Sequence, residues 1–195
     1  MNGQDLSVVD WAAVTGRVQP NLDRAAIRAR IEGQAVAITG AGGSLGFPLA
    51  SAIASAAPSR LSVIDWHESS LFRLRQALAT AWPDVPIDAV LVDVRDAARL
   101  RRAFKRAVPS LLFHLAAYKH VPWGEEDPTA FASVNVLGAR SVIEVATETG
   151  VGRIVYPSTD KAIDPPSLYG ATKRMVEAQF RAAAVAGGPA CTLVR

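Results

Sequence analysis

The apolar run Ala35–Thr39 empties directly into Gly40-Ala41-Gly42-Gly43-Ser44-Leu45-Gly46, and a stretch of helical period, Leu45–Ala56, follows at once. Gly40, Gly43 and Gly46 are spaced by three, with Gly42 as an extra glycine. A strand that turns through glycines into a helix brings backbone N–H groups to the helix N-terminus. A pyrophosphate can approach them there because no Cβ blocks the way. Gly46 also lets the helix lie close on the sheet.

Further along, short apolar runs alternate with longer helical ones. The candidate strands are Ala35–Thr39, Leu61–Asp65, Ile87–Val92, Leu111–Leu115, Arg153–Pro157 and Cys191–Val194. Between them lie helical patterns over Leu45–Ala56, Ser69–Ala81, Ala97–Ala107, Thr129–Thr149 and Leu168–Ala186. The strands read as apolar throughout, as expected when helices cover both faces of a sheet. Repeated β-α-β units pair in parallel with right-handed crossovers. The fold class is therefore α/β, a doubly wound parallel sheet with helices on both faces. Residues 1–33 read as an N-terminal arm with a short helix, in which Asp23 offers an N-cap and Ile27 and Ile31 stand at i, i+4. Residues 34–195 form the nucleotide-binding domain.

Composition narrows the field. With 195 residues, 50% of them hydrophobic, the chain can bury a core without staples. The single cysteine, Cys191, forms no internal disulfide and reads as a small core residue. A net charge of +3 gives no reason to expect nucleic-acid binding. No apolar run reaches the roughly 18 residues of a membrane helix, and Met1–Val14 has no basic region of a signal peptide. The expected location is the cytoplasm. No His/Cys/acid cluster has zinc-ligand spacing, so no metal is expected.

Asp65 closes the second strand, 19 residues after Gly46, where a ribose-binding acid is expected in such a fold. A carboxylate there favours NAD and disfavours NADP, whose 2′-phosphate would meet like charge. Asp93, in Val92-Asp93-Val94, either accepts from the adenine amino group or caps the next helix. Tyr169 and Lys173 form Y-x-x-x-K, which on a helix puts both on one face. A phenol is a poor base at neutral pH, and a neighbouring ammonium favours its phenolate. Asp160 and Lys161 can share one site only if the chain turns there, because strand neighbours point to opposite faces. Otherwise they form a surface salt bridge worth ~0–1 kcal/mol. His114, inside a strand, reads as a packed core histidine.

Three segments carry a resemblance: Ala116-Ala117-Tyr118-Lys119-His120-Val121-Pro122, Ser158-Thr159-Asp160-Lys161-Ala162 and Tyr169-Gly170-Ala171-Thr172-Lys173-Arg174. With the glycine loop they resemble the extended short-chain dehydrogenase/reductase superfamily. Within it they are similar to the nucleotide-sugar 4,6-dehydratases of bacterial polysaccharide biosynthesis. The likeness runs over roughly residues 15 to 195. It implies a Rossmann domain, NAD as cofactor, a UDP-N-acetylhexosamine substrate and self-association into homo-oligomers. It implies cofactor contacts by Gly40, Gly42, Gly43, Ser44, Leu45, Gly46, Asp65, Asp93, Val94, Leu115, Ala116, Ala117, Tyr169 and Lys173. It implies substrate contacts by Lys119, His120, Asn135, Ser158 and Thr159.

The implied chemistry has Tyr169 remove the sugar O4 proton while Lys173 holds the nicotinamide ribose. Lys161 then removes the C5 proton, Asp160 protonates the departing C6 hydroxyl, and Thr159 holds the O4 region. Trp123-Gly124 and Leu91 depart from the usual pattern. The resemblance also implies a C-terminal part that holds the UDP, essentially absent up to Arg195, so the chain reads as the cofactor-binding part with weak turnover. Two alternatives stay open: a 4-epimerase or reductase, which needs no Asp160-Lys161 pair, and a non-catalytic dinucleotide-binding module.

Overall fold

The computed structural model describes Asp10, Ala13, Val14, Gly16 and residues 23–195. Asp23 caps α1 (Arg24–Ile31), its carboxylate accepting from the Ala26 backbone N–H. Of the predicted arm, the remaining residues before Asp23 lie outside the described ones. The chain then runs through β1 (Ala35–Thr39), α2 (Gly46–Ala54), β2 (Arg60–Asp65), α3 (Glu68–Ala81), β3 (Ile87–Leu91), α4 (Ala97–Ala107) and β4 (Leu111–His114). Next come α5 (Val121–Glu126), α6 (Pro128–Phe131), a π-helical turn (Ala132–Leu137) and α7 (Gly138–Glu148). After β5 (Arg153–Pro157), a 3-10 turn (Asp160–Ala162), α8 (Leu168–Val185) and β6 (Ala190–Val194) complete the domain.

All six strands are parallel, in the order β3-β2-β1-β4-β5-β6. The chain reverses direction of travel between β1 and β4. The connections leaving these two strands diverge, which opens a crevice at their carboxyl ends. The doubly wound α/β expectation is met.

Alternating strand residues feed two cores. On one face Val36, Ile38, Leu61 and Val63 meet Ile53 of α2 and Leu71, Leu74 and Leu78 of α3, with Ile31 of α1 joining them. On the other, Ala37, Ile64, Leu112, Ile154 and Tyr156 meet Leu100 and Phe104 of α4, Val142 of α7 and Phe180 of α8.

The structure departs from the sequence expectations at three places. The single helix expected over Thr129–Thr149 is broken by the π turn, which widens the helix by one residue and carries Asn135 inward, 2% exposed. Helix α5 lies outside the helical patterns of the sequence; it opens with Pro122 in its first turn, where a missing N–H costs nothing. The strands are not uniformly apolar. Edge strand β3 carries Asp88, which pairs with Arg106 at 2.7 Å, and edge strand β6 alternates between exposed and half-buried residues. Edge strands have no second neighbour, so solvent reaches them and polar residues are tolerated.

Candidate active site

The glycine loop is built by close approaches. Gly40 has φ +70°, and a Cβ on it would lie 2.6 Å from the Ala116 backbone nitrogen. The loop therefore packs directly on the segment leaving β4. Gly46 begins α2, and a Cβ there would overlap the Gly40 carbonyl oxygen and lie 2.6 Å from the Ala41 Cα. No side chain caps α2, the Phe47 N–H is taken by the Gly43 carbonyl and Pro48 has none, so of its first turn the Gly46 N–H is left for an anion. Leu45 is exposed beside them, and Ser44 Oγ accepts from Lys119 Nζ at 2.9 Å. The predicted substrate lysine thus reaches across to the phosphate loop. His120 is exposed at the N-cap of α5 and makes no capping bond.

Beside the loop lies a cleft of about 320 Å³, lined by Gly40, Gly42, Gly43, Asp65, Val92–Arg95 and Leu115–Tyr118, among others. Asp65 is 8% exposed. Its Oδ2 accepts from the Gly42 N–H and its Oδ1 from the His67 N–H, both at 2.9 Å. One carboxylate thus braces the glycine loop and the start of α3, and its remaining lone pairs face the cleft. Asp93 is less free than expected. Arg95 grips it from the side-chain nitrogens at 2.6–3.1 Å and from its backbone N–H, and this bond holds the Asp93 carboxyl below the usual range. An adenine amino group would have to share Asp93 with Arg95. Val94 is buried beneath Gly138, whose Cβ would meet its Cγ2 at 2.9 Å.

The cleft also contains residues that sequence reasoning passed over: Trp66, His67, Ser70, Arg95, Tyr118 and Val134. Trp66 and His67 directly follow Asp65 at a strand end, which is the signal that could have found them. Trp66 is 60% exposed at the rim, an unusual position for an indole unless something covers it. Replacing Asp65 by serine is expected to weaken NAD binding at least about tenfold, since one charge-assisted hydrogen bond contributes roughly 1.5–3 kcal/mol. The preference for NAD over NADP should narrow in the same variant. Titration calorimetry with both cofactors measures both effects, and an unchanged ratio would remove Asp65 from cofactor selection.

The second half of the site sits where α8 meets the chain leaving β5. Ser167 caps α8 by accepting from the Gly170 N–H. A Cβ on Gly170 would run into the Lys161 carbonyl oxygen, so glycine there lets α8 press directly on the Asp160–Ala162 turn. The chain does turn after Thr159. Asp160 and Lys161 are both exposed and stand 3.5 Å apart as an ion pair. Asp160 accepts from the Thr159 hydroxyl at 2.8 Å and the Lys161 N–H at 2.9 Å, bonds that hold its carboxyl below the usual range. The phenol of Tyr169 is half-buried, and burial together with the Asp160 charge pushes it up. This corrects the expectation of a phenolate favoured by its neighbour. The Lys173 ammonium is 5% exposed, donates to the Pro157 carbonyl at 2.8 Å, and lies 4.3 Å from the Tyr156 ring centroid. Burial brings Lys173 down to about 8.

Two predicted substrate contacts are otherwise engaged. The Asn135 side chain accepts from the Tyr118 N–H and donates to the Tyr118 carbonyl and to Thr172 Oγ1. It is buried with both N–H donors spent, so it holds the β4 loop to α8 rather than facing a substrate. Ser158 donates its hydroxyl to Glu177 at 2.6 Å. His114 is the core histidine its strand position suggests, 1% exposed, sharing a 2.7 Å hydrogen bond with Thr39 Oγ1 and stacked on Tyr156. Burial, and then the Lys173 charge, take it down to about 3, so it stays neutral at physiological pH.

Comparison with known proteins agrees with this arrangement. The profile of a family described as polysaccharide biosynthesis protein matches residues 36–194. The capsular polysaccharide biosynthesis protein CapD of Staphylococcus aureus is 32% identical over 174 residues, 89% of this chain and 29% of that protein. A UDP-N-acetylglucosamine 4,6-dehydratase (inverting) of Campylobacter jejuni is 43% identical over 91 residues, 47% of this chain and 27% of the enzyme. The chain therefore spans well under half the length of these relatives. Among solved structures, Pen from Bacillus thuringiensis superposes with a TM-score of 0.74 at 28% identity, over 84% of this chain and 49% of that one. A UDP-glucose-4-epimerase from Stenotrophomonas maltophila, with bound NAD and formylated UDP-arabinopyranose, shares the fold at a TM-score of 0.74 and 20% identity. It is covered over 52% of its length, by 83% of this chain.

Proposed function

Because the chain belongs to the polysaccharide biosynthesis protein family, we propose that it is the NAD-binding, catalytic part of a nucleotide-sugar 4,6-dehydratase acting on a UDP-N-acetylhexosamine. The observation that carries this reading is the contact at Gly170. Through it the helix bearing Tyr169 and Lys173 is pressed on the turn bearing Asp160 and Lys161. Epimerisation at C4 needs only the first pair, whereas elimination of water across C5 and C6 also needs an acid and a base.

The cleft suits the adenosine half of a dinucleotide, since Tyr169 and Lys173 are not among the residues that line it. The N–H groups of Ser44, Leu45 and Gly46 at the start of α2 would hold the pyrophosphate, Gly40, Gly42 and Gly43 would leave it room, Asp65 would hold the adenosine ribose and Lys173 the nicotinamide ribose. Bound NAD supplies a hydride acceptor and, at the end of the cycle, a hydride donor. Tyr169 takes the proton of the sugar O4 hydroxyl, for which its raised phenol must lose the proton it holds in the free chain. Lys161 removes the C5 proton once C4 is a ketone. Asp160 gives a proton to the departing C6 hydroxyl. In the free chain Asp160 is exposed and bonded by Thr159, which favours its anion. It becomes an acid when the sugar covers it and takes over the Thr159 hydroxyl.

The test is incubation of a form spanning the full length of the relatives with NAD and UDP-N-acetylglucosamine, followed by mass spectrometry for the loss of one water and by absorbance for NADH. Lys161→Ala is expected to abolish water loss while NADH and a 4-keto sugar accumulate. Tyr169→Phe is expected to give neither. An interconverted sugar of unchanged mass would favour the epimerase reading, and wild-type water loss in Lys161→Ala would refute the assigned base.

A further inference from the structure

Glu177 lies one helical turn beyond Lys173 on α8 and is 1% exposed, yet none of the steps above uses it. Its carboxylate is the meeting point of three segments. Oε1 accepts from the Ser158 hydroxyl at 2.6 Å and from Arg195 Nε at 2.9 Å. Oε2 accepts from an Arg195 guanidinium nitrogen at 2.6 Å and from Arg181 on the same helix at 2.7 Å. A buried anion is retained only where such partners replace water. The segment it grips is the one that matters. Ser158 directly precedes Thr159, Asp160 and Lys161, and its own N–H donates to the Val194 carbonyl of β6. Lys173 holds the neighbouring carbonyl of Pro157 from one turn earlier.

We propose that Glu177 is a positioning residue. It fixes the Ser158–Lys161 turn against the helix of Tyr169 and Lys173, and it sets a compensating charge behind the Lys173 ammonium. The proposal rests on the assignment of Asp160 and Lys161 as the acid and base. The groups that face Lys173 are Tyr156 from β5, His114 from β4 and Glu177 from its own helix; Arg195 and Arg181 face Glu177 in turn. Glu177 is the only anion among those facing Lys173, and its charge opposes the downward push of burial.

Two variants separate the two roles. Glu177→Gln keeps an acceptor for Ser158 but removes the charge. Its Lys173 titration midpoint, followed by NMR of the lysine side chain, is expected to fall below the wild-type value of about 8. Ser158→Ala keeps the charge but cuts the tether. It should leave the Lys173 midpoint in place and speed amide exchange at residues 159–162 about tenfold, with the glycine loop unchanged. A Glu177 whose charge is cancelled at Lys173 by Arg181 and Arg195 would move the melting temperature without moving the Lys173 midpoint. An unmoved midpoint in Glu177→Gln, or unchanged exchange in Ser158→Ala, overturns the proposal. Neither readout depends on cofactor binding or turnover, so failure of the dehydratase reading and failure of this one remain distinguishable.

Discussion

Gly46→Ala is expected to lose NAD binding altogether and to lower the stability of the fold by about 3 kcal/mol or more. The added methyl would overlap the Gly40 carbonyl oxygen and press on Ala41 at 2.6 Å, and both contacts are backbone. Backbone cannot rotate aside as a side chain can, so α2 must lift from the loop. Overpacking of this kind typically costs 1–3 kcal/mol, and more where no side chain can yield. The lifted helix also carries the Gly46 N–H that would meet the pyrophosphate. Gly43→Ala is the matched control. Its methyl would find a single neighbour within 4 Å, the Gly40 carbonyl oxygen at 3.3 Å. Gly43 lines the cleft, so this variant should weaken NAD binding while its thermal midpoint barely moves. Melting curves and calorimetry on the pair check both statements. A Gly46→Ala protein that melts and binds like wild type would show that the loop packs otherwise.

Lys173→Met is expected to stabilise the protein at pH 7 by roughly 1–3 kcal/mol while abolishing hydride transfer. Burial takes Lys173 from 10.5 in the ordinary case to about 8 in the fold. The folded value lies below the unfolded one, so the fold binds this proton less tightly than the unfolded chain does. The associated stability is fully present only above 10.5 and is lost as pH falls through about 8. Wild-type stability should therefore climb between those two values, and the climb should vanish in Lys173→Met. Methionine gives up the bond to the Pro157 carbonyl, which is why the gain is smaller than the full shift implies. Denaturant unfolding at neutral and alkaline pH measures both. A loss of stability at pH 7 would mean that the bond to Pro157 and the contact with Tyr156 outweigh the buried charge.

Much of this architecture is legible in the chain because its signals are local. A run such as Ala35–Thr39 is apolar, ends in glycine and begins a helix, and β1 occupies those residues. Asp65 announces itself by its distance from Gly46, and it does stand on the cleft. What stayed hidden depends on partners far away in sequence. The π turn exists because Asn135 reaches Tyr118 and Thr172, 17 and 37 residues away. Nothing in Ala132–Leu137 itself departs from helical period. Glu177 stands four residues from both Lys173 and Arg181, and nothing in the sequence marks it as buried. Its burial becomes visible only when Arg195 and Ser158 close over it. The tyrosine was mistaken in sign for a similar reason. Spacing places Lys173 beside Tyr169, but the ammonium is taken up by the Pro157 carbonyl and the neighbouring charge that counts is Asp160.

Calorimetric titration of the 195-residue chain with NAD and, in parallel, with NADP bears most directly on the glycine-loop cleft as a dinucleotide site. The geometry around Asp65 and the uncapped start of α2 predicts one binding site per chain, with NAD bound at least about tenfold more tightly than NADP. No binding of NAD at millimolar concentration, or tighter binding of NADP, would contradict it.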